Sequence, residues 1–379
     1  MFPAPFALER FFARYEFSAR HLLSSSDCQG IAMADLLASA EDDLRARWDD
    51  LHLGYTESQG LPDLRREITT LYEGVKAGEI LVAAPEEAVF LAMNALLEPG
   101  DHVVCTFPGY QSLYALACTI GCDVDLWRPS ETEGWRFDPA GLEELLRPDT
   151  KLVVWNFPHN PTGALPTHED YARMIEAVSS VGAWTFSDEM YRLLEPSPDA
   201  RVPAAVDRYE RGVSLSGMSK AFGLAGLRIG WVATHDKRIL DRMKTLKDYT
   251  TICSSAPGEM LALMGLRSRD AILAHNRGRL NRNREAAAVF FTRHSHSMSW
   301  VPPRAGTVCF PRLVDGDRSG AEGAEAFCGR VLSETGILLL PSTVYGYDDS
   351  HFRLGLGRDD FVSGLEALDA FLETDAQAL

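Results

Sequence analysis

Between about Leu61 and Leu266, short apolar runs alternate with longer stretches whose apolar residues recur at helical spacing. The runs Ile80 to Ala83, His102 to Thr106, Asp123 to Trp127, Lys151 to Asn156, Trp184 to Asp188, Gly212 to Ser216 and Leu227 to Ala233 predict strands buried on both faces. The stretches Glu86 to Leu97, Gln111 to Ile120 and Glu169 to Val181 predict amphipathic helices between them. This rhythm belongs to an α/β fold with a mainly parallel, seven-stranded sheet sandwiched by helices.

After Ala256 the pattern changes. A long helical stretch leads to shorter strand-like pieces at Thr307 to Pro311 and Gly336 to Pro341, with a closing helix after Arg358. These predict a smaller α+β unit, and the segment Phe6 to Arg20 is expected to pack with it. The division expected is 46–284 for the large unit and 1–45 plus 285–379 for the small one. There is no repeat or low-complexity linker, so the two should be closely joined, with a ligand cleft between them.

Composition narrows the function classes. A chain of 379 residues is long enough for two units around a large core. Its 54 acidic and 37 basic residues give a net charge of -17, which repels nucleic acid and anionic membrane surfaces. No apolar stretch is long enough to span a bilayer, and the opening MFPAPFALERFF lacks the pattern of a secretory signal. Seven cysteines form no disulfide framework, so a cytoplasmic location is expected. Cys118 and Cys122 share helical spacing, but no His or acidic residue completes a metal site, and none is expected.

The candidate chemistry lies at the ends of the predicted strands. The run Ser219-Lys220-Ala-Phe-Gly-Leu-Ala-Gly-Leu-Arg228 sets one lysine near an arginine among glycines. A lysine attacks carbonyls only when burial or a neighbouring cation keeps its amine neutral, and an arginine can hold a phosphate. Together they suggest a Schiff-base lysine beside pyridoxal 5′-phosphate. Asn160, in Asn-Phe-Pro-His-Asn160-Pro-Thr-Gly163, follows one strand, and Asp188, in Asp188-Glu-Met-Tyr191, ends another. A buried carboxylate needs a partner, and a protonated ring nitrogen would supply one. Asn160 and Tyr191 can donate to a ring oxygen, and Tyr110 can stack on a ring. Taken singly, each has a plain structural alternative: a Pro-Thr-Gly turn, an Asp capping a helix, a core or surface tyrosine.

In this order, Tyr110, Asn160, Asp188, Tyr191, Lys220, Arg228 and Arg353 resemble the fold-type I, pyridoxal-phosphate-dependent aminotransferases of class I/II over nearly the whole chain. The resemblance implies that Lys220 forms the Schiff base and then shuttles a proton at the substrate Cα, with Asp188 on the pyridine nitrogen. It implies Tyr191 and Asn160 on the phenolic oxygen, Tyr110 against the ring, and Arg228 with Ser219 at the phosphate. Arg353, with Asn160, would grip the substrate carboxylate. Tyr55 would reach the partner's phosphate across a homodimer with shared active sites, and Ser254 or Ser255 would approach the neighbouring site. Two departures stand out. Where the family wraps phosphate with glycine and small residues, this chain reads Ala84-Pro85-Glu86-Glu87, leaving the backbone N–H groups of Glu86 and Glu87 as donors. Gly217 stands where a hydroxyl residue is frequent, so Ser216 or Ser219 would take its place.

The activity implied is transfer of an amino group between an L-amino acid and a 2-oxo acid. The alternative keeps the fold but changes the outcome to a lyase, a cyclase or a β/γ-substitution enzyme. The segment Ser24-Ser-Ser-Asp27 with Asn-Phe-Pro-His-Asn160 loosely resembles the group that includes capreomycidine synthase. A DNA-binding regulator on the same fold is disfavoured by the acidic charge and the short segment before Tyr55. Arg20, Tyr15 and Tyr345 are expected to line the cleft and set side-chain specificity.

Overall fold

The computed structural model describes residues 3–314 and 323–377. Its centre is a seven-stranded sheet of β1 (Ile80–Ala83), β2 (His102–Thr106), β3 (Asp123–Trp127), β4 (Thr150–Asn156), β5 (Trp184–Asp188), β6 (Gly212–Gly217) and β7 (Gly230–Thr234). The order across it is β1-β7-β6-β5-β4-β2-β3. Strands β2 to β6 run parallel, whereas β7 is antiparallel to both β6 and β1. Leu152, Val153 and Val154 on β4 are fully buried, as the uniform apolar runs require of a sheet covered on both faces. Burying each such side chain contributes about 1.5–3 kcal/mol.

The covering helices include Pro85–Leu96, Ser112–Ile120 and His168–Ser180. Local chemistry starts them. Pro85 occupies the first helical turn, where its missing N–H costs nothing. The Thr167 side chain accepts the Asp170 N–H at 3.0 Å and caps the third helix.

One strand starts later than its apolar run suggests. Residues Ala225–Leu227 form a 3-10 turn, and Arg228 takes a left-handed conformation with φ of 55° before β7 begins at Gly230. Turn geometry overrides hydrophobic pattern here, because Arg228 must leave the sheet plane.

Helices Ala256–Arg267 and Arg269–Arg293 follow, so position 284 falls within a continuous helix. The strand-like pieces shrink to Val308–Cys309 and Leu340–Pro341, which flank Phe352–Gly355 in a three-stranded antiparallel sheet. The helix Phe361–Gln377 closes the described chain. No described helix is long and apolar enough to cross a membrane.

The amino-terminal helix α1 (Ala7–Tyr15) rests on both parts rather than on the smaller alone. The Ala7 N–H donates to Gln111 Oε1 at 2.8 Å, while the Phe12 ring lies 5.6 Å from the Arg353 guanidinium. The chain after it lies close against the end of strand Phe352–Gly355. A Cβ on Gly355 would fall 1.8 Å from the Ser25 carbonyl oxygen, and one on Gly357 would fall 2.0 Å from that of Asp27. Only glycine permits that approach, which brings Ser24 to Asp27 to the carboxyl ends of the parallel strands.

Candidate active site

A cavity of about 480 Å³ opens at the carboxyl ends of β4, β5 and β6, the edge where open α/β sheets bind ligands. Asn160, Asp188, Tyr191, Ser219, Lys220 and Arg228 all line it, and so do Tyr110 and Glu86. Residues as far apart in sequence as Glu86 and Arg228 thus meet because each ends a strand, starts a helix or sits on a connecting loop.

Lys220 follows β6, and its Nζ donates to Ser26 Oγ at 2.9 Å. Burial lowers its pKa; Arg353 adds to the effect, and Asp27 and Asp188 oppose it. The amine is therefore easier to hold neutral than an exposed lysine.

Asp188 is the last residue of β5 and only 5% exposed. Its Oδ1 accepts the Met190 N–H at 3.0 Å, yet burial pushes its pKa up to about 7. No Lys, Arg or His forms an ion pair with it among the described residues. Tyr191 is buried, which raises its pKa and keeps the phenol a donor.

Asn160 is anchored by its own N–H, which donates to Asn156 Oδ1 at 2.8 Å. Its Oδ1 accepts from Tyr345 Oη and Arg353 Nη1, both at 3.1 Å, so the amide NH₂ is the end left to donate.

Ser219, which also lines the cavity, is 4% exposed, and its Oγ has no hydrogen-bond partner among the described residues. Ser216 does not line the cavity. A hydroxyl residue at 217 is excluded by the pairing of β6 with β7, since a Cβ there would lie 2.9 Å from the Gly230 Cα. Arg228 sits exposed on the rim, with Nη1 donating to the Ala225 carbonyl at 3.0 Å.

The two glutamates differ. The Glu86 carboxyl faces the cavity, accepts from Ser112 Oγ at 3.2 Å, and is pushed by burial to a pKa of about 7. Glu87 turns away and accepts from the Thr250 hydroxyl, from Thr251 Oγ1 at 2.8 Å and from the Ala84 N–H at 3.4 Å. Only its backbone N–H remains available at the helix start.

Arg353 is fully buried, in the middle strand of the small sheet. Its Nε and Nη2 donate to the Ser24 carbonyl at 3.0 and 2.7 Å, and its Nη1 donates to Tyr345 Oη at 2.8 Å as well as to Asn160. It stands just behind the cavity wall with Tyr345.

Other expected residues lie elsewhere in a single chain. Tyr55 is 90% exposed and does not line the cavity. The Ser255 side chain caps helix Ala256–Arg267 by accepting the Gly258 N–H at 3.3 Å, and the Ser254 carbonyl accepts from Thr56 Oγ1 at 3.1 Å. The Tyr15 ring packs on Phe11, and the Arg20 N–H donates to the Gly336 carbonyl at 2.8 Å; neither residue reaches the cavity. Sequence reasoning missed Glu9, Phe12 and Glu16, which line it from α1 and the turn after it, and Ser26. The spacing of the first three, i, i+3 and i+7, is a helix-face signal.

The residues fit pyridoxal 5′-phosphate. An orphaned buried hydroxyl suits a phosphate, a buried carboxylate without an ion pair suits a protonated ring nitrogen, and an amine of lowered pKa lines the same cavity.

The chain belongs to the aminotransferase class I and II family, whose profile matches residues 22–361. It is 29% identical over 301 residues to capreomycidine synthase of Streptomyces vinaceus, covering 77% of this chain and 73% of that one. Among solved structures, a PLP-dependent aminotransferase from Streptococcus suis superposes with a TM-score of 0.90 at 30% identity, covering 99% of both chains. The PLP-dependent cyclase OrfR superposes equally well, with a TM-score of 0.90 at 30% identity over 99% of this chain and 98% of its own. The fold is that of fold-type I PLP enzymes, and pyridoxal 5′-phosphate is the cofactor.

Proposed function

We propose that the chain moves an amino group between an L-amino acid and a 2-oxo acid, with Lys220 as the reacting amine. The observation that carries this reading is the pairing, in one cavity, of an amine whose pKa burial lowers with a buried carboxyl raised to about 7. Bound there, pyridoxal 5′-phosphate supplies an aldehyde for the lysine and an electron-withdrawing ring that acidifies the substrate Cα–H.

The protein's part is positioning and proton handling. Lys220 takes and returns the Cα proton, work that typically contributes 10²–10⁴-fold. Asp188 holds the ring nitrogen protonated, Tyr191 and the Asn160 amide donate to the ring oxygen, and Tyr110 covers a face. Ser219, Arg228 and the N–H groups of Glu86 and Glu87 take the phosphate. Arg353 takes the substrate carboxylate. Four of its five N–H groups are already used, so a two-point grip requires the Ser24 carbonyl to yield. Tyr55 serves a partner's site in a homodimer. Residues 46–284 form the cofactor-holding unit, with 1–45 and 285–379 as the smaller one. Free cysteines suit the cytoplasm.

A second reading, cyclisation or elimination, is favoured by one feature of the cavity. Glu9 and Glu16 line it without an ion pair among the described residues, which suits a substrate with a cationic side chain. The similarity to capreomycidine synthase and OrfR points the same way. Stoichiometric incubation of the holoenzyme with a panel of amino acids separates the two. Accumulation of pyridoxamine 5′-phosphate with a 2-oxo acid supports transfer. A rearranged amino acid without it assigns the second reading and rejects the first.

A further inference from the structure

Among the described residues Lys220 Nζ has one side-chain hydrogen-bond partner, and that partner is not on the strands that build the rest of the site. It is Ser26, 194 residues earlier in the chain, with its Oγ 2.9 Å from Nζ.

Ser26 is held firmly. Its carbonyl accepts from Thr307 Oγ1 at 2.7 Å. Arg358 Nη2 grips the residues on either side, donating to Ser25 Oγ at 2.8 Å and to Asp27 Oδ1 at 2.9 Å. The Cys28 N–H then donates back to the Lys220 carbonyl at 3.3 Å. The backbone of this segment is therefore tied to the smaller unit and to the reacting lysine together, and it holds the Ser26 hydroxyl within hydrogen-bond reach of Nζ.

A free amine rotates about its last carbon bond. An acceptor that fixes one N–H decides where the remaining N–H and the lone pair point. We propose that Ser26 is the dock for the free Lys220 amine, orienting its lone pair into the cavity, and that it is a positioning residue for every step in which that amine is uncombined. The inference rests on the reading of Lys220 as the reacting amine, and it adds a residue from outside the strand-end motifs.

Two measurements on the full-length protein test this. The first is the rate at which added pyridoxal 5′-phosphate becomes trapped on the Lys220 peptide after borohydride reduction, read by mass spectrometry across a pH series. The second is kcat and KM of the holoenzyme with Cα-protonated and Cα-deuterated amino acid. Ser26→Ala is expected to slow trapping, to lower kcat by about 10- to 100-fold with KM unchanged, and to enlarge the isotope effect. Ser26→Thr, which keeps the hydroxyl, is expected to restore all three. Wild-type trapping or a wild-type isotope effect in Ser26→Ala overturns the dock, as does failure of Thr to rescue. Label trapped on a lysine other than Lys220 in the wild type overturns the underlying reading instead, so the two failures are distinguishable.

Discussion

Asp188 couples function to stability in a way that can be measured without substrate. In the cofactor-free protein, burial raises its pKa from the ordinary 3.8 to about 7. The folded state therefore binds a proton that the unfolded chain has released between those values. Stability from this group is full below about pH 4, falls as pH rises, and is lost above about pH 7. The displacement corresponds to about 4 kcal/mol as an upper limit, a large share of a typical folding free energy. Asp188→Asn removes the ionisation while keeping the shape. Denaturant melts of both proteins, stripped of cofactor, should show the variant gaining on the wild type by about 2–3 kcal/mol between pH 5 and pH 8, while the variant's turnover collapses. Other titrating groups cancel in the comparison. A stability difference that stays flat across that range would refute the assignment of a buried, uncompensated carboxyl.

Further outcomes follow from the same geometry. Lys220→Ala should lose turnover and the visible absorbance of the bound cofactor with an unchanged far-ultraviolet spectrum; cofactor trapped covalently on the variant by borohydride at the wild-type level would count against the lysine. Glu86 is neutral below a pKa of about 7 and charged above it, so it should repel phosphate increasingly as pH rises. Cofactor titrations by fluorescence at pH 6 and pH 8 should show Glu86→Gln binding more tightly than wild type at the higher pH only. Arg353→Lys should raise KM for amino acids while leaving cofactor affinity unchanged. Loss of a buried bidentate partner costs about 2–5 kcal/mol, and unchanged KM would remove Arg353 from the carboxylate site.

How much of this was legible in the sequence follows from distance along the chain. Strands β1, β2 and β5 fall where the apolar runs put them, because a strand buried on both faces writes itself as a mainly apolar stretch, and β3 matches its expected bounds although it is a half-exposed edge strand. Asp188 and Asn160 were legible for a related reason: a polar residue that ends such a stretch has left the core and needs a partner. The start of β7 was not, since the left-handed turn at Arg228 is set by the loop's path and not by hydrophobicity. Arg353 could be read only through resemblance, because a lone arginine in a short apolar piece looks like a surface residue until the packing shows it fully buried. Glu87 illustrates a different limit. A helix start shows which backbone groups are free, but not which of two adjacent glutamates faces the ligand; that depends on Thr250 and Thr251, far away in sequence.

Ser26 is the extreme case. A run of three serines before an aspartate carries no periodicity and no charge pattern, and its contact with Lys220 spans 194 residues. The signal that places it lies in other residues: two glycines at 355 and 357 with no room for a Cβ against Ser25 and Asp27, and an arginine at 358 that ties both neighbours down. Those glycines have no turn to make at φ above zero, so their absence of side chain is explained by close approach alone. A substitution at Gly355 or Gly357 would therefore push the Ser24 to Asp27 segment off the strand and disturb Arg353 and Lys220 together, although neither glycine touches the cavity.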